Sequence, residues 1–92
     1  MVEKDVKAIA KENEWAEIES RDPYMVSFSK VINDYPARIN VWFGKKGITV
    51  GTCLNHPKHG KGSLYRKHVN KTLMKKIFKN PRVHTAHGYG RA

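Results

Sequence analysis

The sequence has no acidic residue after Asp34, although most of the chain lies beyond that point. Residues 35–92 contain thirteen Lys or Arg and all five His, whereas residues 1–22 contain seven acids against four bases. A mixture of positive and negative charges is sufficient for solubility. Solubility therefore does not explain why 58 consecutive positions lack a carboxylate. The distribution therefore indicates an anionic partner.

The chain also has a single cysteine and no long apolar segment. Cys53 alone excludes an internal disulfide and is typical of a reducing compartment. Without an apolar run of signal-peptide or membrane-spanning length, we expect an intracellular protein that is neither secreted nor inserted into a membrane. A length of 92 residues allows one domain, which we place at 1–80, followed by a flexible basic tail at 81–92.

Two amphipathic helices are predicted near the ends of this domain. Val6, Ile9 and Ala10 have helical spacing within residues 3–14, and charged residues occupy the opposite side. The second, basic helix covers 70–79, with Asn70 at its N-cap and Pro81 soon after its end.

Between the helices, period-two alternation predicts an antiparallel sheet. Segments 38–43 and 48–54 alternate on either side of the glycine-flanked loop 44–47, which indicates a central β-hairpin at 38–54. A short strand is expected at 16–20 and a second strand at 24–32, and 55–63 is expected to be a loop. The segment 64–69 fits either a strand or an irregular lead-in to the second helix. The fold class is α+β, with a three- to four-stranded antiparallel sheet whose free face is available to a partner.

We expect the anionic partner to be a nucleic acid, because the cations are spread over consecutive elements. Such an array can contact several phosphates along a nucleic-acid backbone, and each neutralised phosphate favours binding because it releases counterions. About four phosphate contacts from the cations of residues 58–75 would give a logarithmic salt slope near −3 for a single strand. The candidate nucleic-acid-binding residues are Arg38, Trp42, Lys45, Lys46, Lys58, Lys61, Arg66, Lys67, Lys71, Lys75 and Arg82.

Aromatic and amide side chains among the cations favour RNA or a single strand over duplex DNA. Alternation in the hairpin places Arg38, Asn40 and Trp42 together on its outer side. There Trp42 either stacks on bases or covers a second layer of core. Tyr65 could also stack on bases, but we expect it to pack under the 55–63 loop.

The histidines leave two chemical alternatives open. Cys53, His56, His59, His84 and His87 could ligate zinc, but their spacing is loose and no C-x-x-C pair anchors a site. His56, His59 and His68 with Lys61 could instead cleave RNA by general acid and base catalysis. The loose spacing argues against a metal site, and no carboxylate is nearby to fix a histidine tautomer for catalysis. We therefore expect no catalytic residue, no metal and no cofactor.

The predicted order of a helix, an antiparallel sheet and a closing basic helix resembles the general plan of small double-stranded-RNA-binding domains. It is also similar to the plan of toxin-type RNases. The paired histidines of those RNases are absent, since the chain reads Ser20 to Tyr24 (SRDPY) at that place. The basic helix start of the RNA-binding domains is replaced by Asn70 to Leu73 (NKTL), so no site residue is carried over.

The sequence therefore predicts a module that binds RNA, or another single-stranded nucleic acid, through a basic surface with stacking residues. The alternatives are a small histidine-dependent ribonuclease, or a basic module that docks on an acidic protein or anionic surface. The oligomeric state is not predicted.

Overall fold

A computed structural model describes the backbone of residues 1–56 and 60–81, and the side chains of residues 1–54 and 65–81. Two helices flank five strands in the chain. Their order is α1 (Glu3–Glu12), β1 (Ala16–Ile18), β2 (Met25–Ile32), β3 (Tyr35–Gly44), β4 (Gly47–His56), β5 (Gly60–Arg66) and α2 (Lys71–Lys79). The α+β class, the helix at each end and the central hairpin are confirmed.

The five strands form one antiparallel meander in the order β1-β2-β3-β4-β5. In the central hairpin Val41 pairs with Val50, and the strands turn where Gly44 pairs with Gly47. On the other side of β3, Phe28 of β2 pairs with Ile39. Since side chains alternate across a strand, these pairs assign each residue to one of two faces.

Both helices pack on the same face of the sheet. The buried core joins Val6, Ile9 and Ala10 of α1 and Met74, Ile77 and Phe78 of α2 to the inward residues of β2, β3 and β4. The ring of Phe78 meets Phe28 and Trp15 edge-to-face, at centroid distances of 5.4 and 5.8 Å. The Trp15 indole N–H donates to the Phe78 carbonyl at 2.9 Å, so its polar group is satisfied inside the core.

The predicted loop at 55–63 is the main error in the predicted secondary structure. β4 continues to His56 and β5 begins at Gly60, which leaves only residues 57–59 between the described strands. The sheet has five strands rather than three or four. Among the described strands β5 pairs with β4 alone, so it lies at an edge of the sheet.

The second helix begins as predicted. Asn70 has an extended backbone, and its side-chain oxygen accepts from the Leu73 N–H at 2.8 Å. Of the predicted tail, 81–92, only Pro81 is described, and it is buried against the domain. Within residues 1–56 and 60–81, neither helix is long and apolar enough to cross a membrane.

Candidate functional site

The sheet face opposite the helices carries the candidate site, and we call it the open face. Its outward positions on β2, β3 and β4 include Met25, Ser27, Ser29, Val31, Pro36, Arg38, Asn40, Trp42, Thr49, Gly51 and Cys53, and Tyr65 belongs to it on β5. None of these residues is acidic. Since both helices pack on the other face, no element within the described residues covers this one.

Two aromatic rings lie side by side on the open face, above Gly51. The Trp42 and Tyr65 centroids are 6.1 Å apart and the ring planes are tilted by 36°. A Cβ atom at Gly51 would come within 2.9 Å of Trp42 Cζ3 and within 2.9 Å of Tyr65 Cε1. The missing side chain therefore lets both rings lean over the strand, where they form an aromatic platform.

The platform is accessible. Tyr65 is 50% exposed and Trp42 is half-buried, although both are large aromatic residues. Neither ring belongs to the buried core, which lies on the other face of the sheet. Exposed aromatic faces of this kind can stack on unpaired bases, whatever their sequence.

A hydrogen-bonded group lies beside the platform on β2 and β3. The Arg38 Nε–H donates to Asn40 Oδ1 at 2.9 Å, and the fully buried Ser27 hydroxyl donates to the same oxygen at 2.8 Å. Arg38 Nη2 also donates to Ser27 Oγ at 3.4 Å. These bonds orient the guanidinium along β3 in the direction of Asn40.

Among the described residues, the hydrogen-bond partners of the Arg38 guanidinium are the neutral side chains of Asn40 and Ser27. Within the described residues the ion pairs are those of Lys7 with Glu3 and Glu17, at 3.2 and 3.4 Å, on the helical side of the molecule. These two carboxylates do not lie on the open face. They accept hydrogen bonds from Lys7 and thereby raise its pKa. The positive charge of Arg38 thus remains available to an external anion or hydrogen-bond acceptor.

A second group of cations lies at the end of the sheet where β3 turns into β4. Lys45 and Lys46 occupy the exposed turn and line an open cleft of about 1080 Å³ together with Lys71 and His68. Both helices begin at this cleft, and their N-terminal ends are favourable for negative charge.

Glu3 also lines this cleft, and so does Asp5, which carries a negative charge beside the lysines. Its carboxylate accepts from the Val2 N–H at 3.0 Å, and this bond lowers the pKa of Asp5, with a further contribution from Lys71. The cleft therefore adds several cations at the end of the molecule adjoining the platform, since Trp42 precedes the turn by only two residues of β3.

The structure does not bring all the predicted site residues to one surface. Arg38 and Trp42 lie on the open face, and Lys45, Lys46 and Lys71 line the cleft. Lys75 lies on α2, on the helical side, where it borders a separate groove with Lys76, Lys79, Glu12 and Asn13.

The remaining predicted cations are at the end of β5 or outside the described side chains. Arg66 is half-buried and pairs with Val50, which assigns it to the helical side, and Lys67 is exposed just after the strand. Lys61 pairs with Asn55 in the backbone, but its side chain lies outside the described part of the chain. Lys58 and Arg82 also lie outside it.

The histidines considered for RNA cleavage do not all come together. His68 adjoins Gly47 at the start of β4, and His56 is the last residue of the same strand. Ten residues of extended strand separate these ends by about 30 Å. Within the described side chains no group of three or more His, Cys, Asp or Glu could hold a metal; His59, His84 and His87 lie outside them.

Sequence reasoning missed two parts of the site. Tyr65 does not pack under a loop but lies exposed beside Trp42, because β5 is a strand that pairs Tyr65 with Gly51. Ser27 holds the Arg38 and Asn40 side chains in place. The alternation Ser27, Phe28, Ser29 in β2 could have placed Ser27 on the outer face, but only the register places it opposite Asn40.

Comparison with known proteins gives no relative from which a function could be transferred. No family model, no curated protein and no solved structure matches the chain. The residues of the open face are therefore the basis for inferring a function.

Proposed function

We propose that this domain binds single-stranded nucleic acid, with RNA favoured, across its open face. The observation that carries the proposal is the Trp42 and Tyr65 platform, which lies exposed above Gly51 on a sheet face without acids. Single-stranded bases stack on such rings, and stacking is worth about 1–3 kcal/mol per base. Duplex bases are already stacked on each other and cannot use the platform in this way.

The charges around the platform support a polyanionic ligand. Arg38 lies to one side of the rings, and Lys45 and Lys46 lie beyond the other end of β3. From Arg38 to Lys45 the path along the strand is about 23 Å, which is long enough for several nucleotides. The ligand's phosphates would meet cations at both ends of the path, while its bases meet the rings in the middle.

The proposal is tested by fluorescence anisotropy with labelled octauridylate. We expect Trp42→Ala and Tyr65→Ala each to weaken binding about tenfold, because each substitution removes one stacking surface. Wild-type affinity should also fall as salt rises, because phosphate contacts release counterions. Tyr35→Ala is the matched control, since Tyr35 is 38% exposed but pairs with Ile32, which packs against the core on the helical side.

Two results would contradict the proposal. One is an RNA affinity that is unchanged between low and moderate salt. The other is equal binding by Trp42→Ala, Tyr65→Ala and wild type, together with competition by heparin and polyglutamate as effective as that by RNA. The second result would identify the domain as a module that docks on acidic proteins or anionic surfaces.

A further inference from the structure

We propose that the open face selects an unpaired guanine, through the Arg38 and Asn40 side chains at the margin of the platform. This inference rests on the proposed function, because it names the base that the same surface prefers. It follows from which hydrogen-bonding atoms are already used within the face and which remain for a ligand.

The orientation of the Asn40 amide is fixed by the chemistry of its neighbour. Arg38 Nε carries a hydrogen and can only donate, so the Asn40 atom 2.9 Å away must be the carbonyl oxygen. The Ser27 hydroxyl donates to the same oxygen at 2.8 Å. Asn40 Oδ1 is therefore satisfied within the protein.

What remains for a ligand is a set of donors. Both hydrogens of Asn40 Nδ2 are without a partner among the described residues, and so are the Nη1 hydrogens of Arg38 and one hydrogen of Nη2. Neither guanidinium nor an amide NH2 can accept. The margin of the platform thus presents hydrogen-bond donors and positive charge, and selects a base edge made of acceptors.

Register places these donors next to the rings. Asn40 pairs directly with Gly51, over which Trp42 and Tyr65 lie, and Trp42 follows Asn40 by two residues on the same face of β3. A base stacked on the platform would have one edge directed at Asn40 and, beyond it, at Arg38. Stacking and edge recognition are therefore combined on a single nucleotide.

Guanine is the base that fits this donor set best. Its O6 and N7 are adjacent acceptors, and paired donors from Arg to these two atoms are the commonest specific base contact in proteins. Adenine sets the N6 amino group beside N7, so one of the two donors would face another donor. Cytosine offers adjacent acceptors on a single ring, which covers less of a two-ring platform than a purine does.

The test uses octauridylate in which one central position carries guanine, inosine, 7-deazaguanine, adenine or cytosine. With the wild-type protein, guanine and inosine should bind at least about fivefold more tightly than octauridylate itself, because both have O6 and N7. The 7-deazaguanine, adenine and cytosine probes should lose most of that gain. If the wild type binds the guanine probe and any of these three probes with equal affinity, the inference is overturned. This comparison requires no protein variant.

Arg38→Lys tests the protein side of the same contact. The substitution keeps the charge but cannot present two parallel N–H groups to one base edge. The ratio of the affinity for the guanine probe to the affinity for octauridylate, both measured with this variant, should fall below about twofold. A preference that persists in Arg38→Lys overturns the assignment to Arg38. If the wild type itself does not bind octauridylate, the proposed function is refuted instead. The two failures are therefore distinguishable.

Discussion

Gly51 is a small residue with a large effect on the shape of the open face. Glycine is unfavourable in strand interiors, because it has no side chain to pack and loses more backbone freedom than other residues. Gly51 has no need of glycine's backbone freedom, since the described positive backbone φ angles do not include it. What it supplies is space for the rings of Trp42 and Tyr65.

Gly51→Ala should therefore separate binding from stability. The added methyl group meets the far edges of two surface rings, which can rotate away, so RNA affinity should fall about tenfold as the platform opens. The free energy of unfolding should stay level or rise by up to about 1 kcal/mol, because alanine suits a strand interior better than glycine. Anisotropy and urea denaturation measure the two quantities.

Val31→Ala is the matched control for this variant. Val31 is 69% exposed on the same face but lies at the far end of β2, where it pairs with Pro36. Its removal should leave RNA affinity unchanged. If Gly51→Ala binds RNA as tightly as the wild type, the rings do not need their present arrangement for binding.

At the scale of elements, the second helix begins with a cap that the sequence identified. Asn70→Ala removes the bond from the Leu73 N–H to the Asn70 side chain, and it should lower the free energy of unfolding by about 1 kcal/mol. Asn80→Ala at the other end of α2 is the control, since there the recorded capping bond uses the backbone N–H of Asn80. Equal losses in urea denaturation for the two variants would show that the cap contributes nothing specific.

The elements differ in how far their sequences determine them. The hairpin of β3 and β4 was predictable because Ile39, Val41 and Val50 must all face the core, which imposes a strict period of two. The segment 55–63 contains Pro, Gly and Lys in place of that pattern, and this composition predicts a loop. The strand in this segment forms through backbone hydrogen bonds to β4, which no side-chain pattern predicts.

The candidate site was predictable in part for the same reason. Alternation alone placed Arg38, Asn40 and Trp42 on one face, and the structure confirms this arrangement. Tyr65 comes from a segment whose sequence fits a strand or irregular structure equally well, and Ser27 meets Asn40 only through the register of two strands. Contacts between distant segments require the pairing itself, which a single sequence does not encode locally.

At the scale of the whole molecule, the charges are divided between two sides. The described carboxylates of α1 and β1 include Glu3 and Glu17, which pair with Lys7 on the helical side. The open face has no acid, and the cleft at its end contributes Lys45 and Lys46. Lys71 at the start of α2 also lines this cleft, but Lys75, Lys76 and Lys79 border a separate groove on the helical side. One ligand could therefore not contact all of the basic residues at once.

This division makes the location of binding the central question, and the two tryptophans answer it within one sample. Trp42 lies on the open face, whereas Trp15 is only 4% exposed and donates its indole N–H to Phe78 in the core. In a ¹⁵N-labelled protein titrated with octauridylate, each indole gives its own N–H signal. The account predicts that the Trp42 signal shifts in step with binding while the Trp15 signal stays in place. Saturable RNA binding that leaves the Trp42 signal unmoved would contradict it.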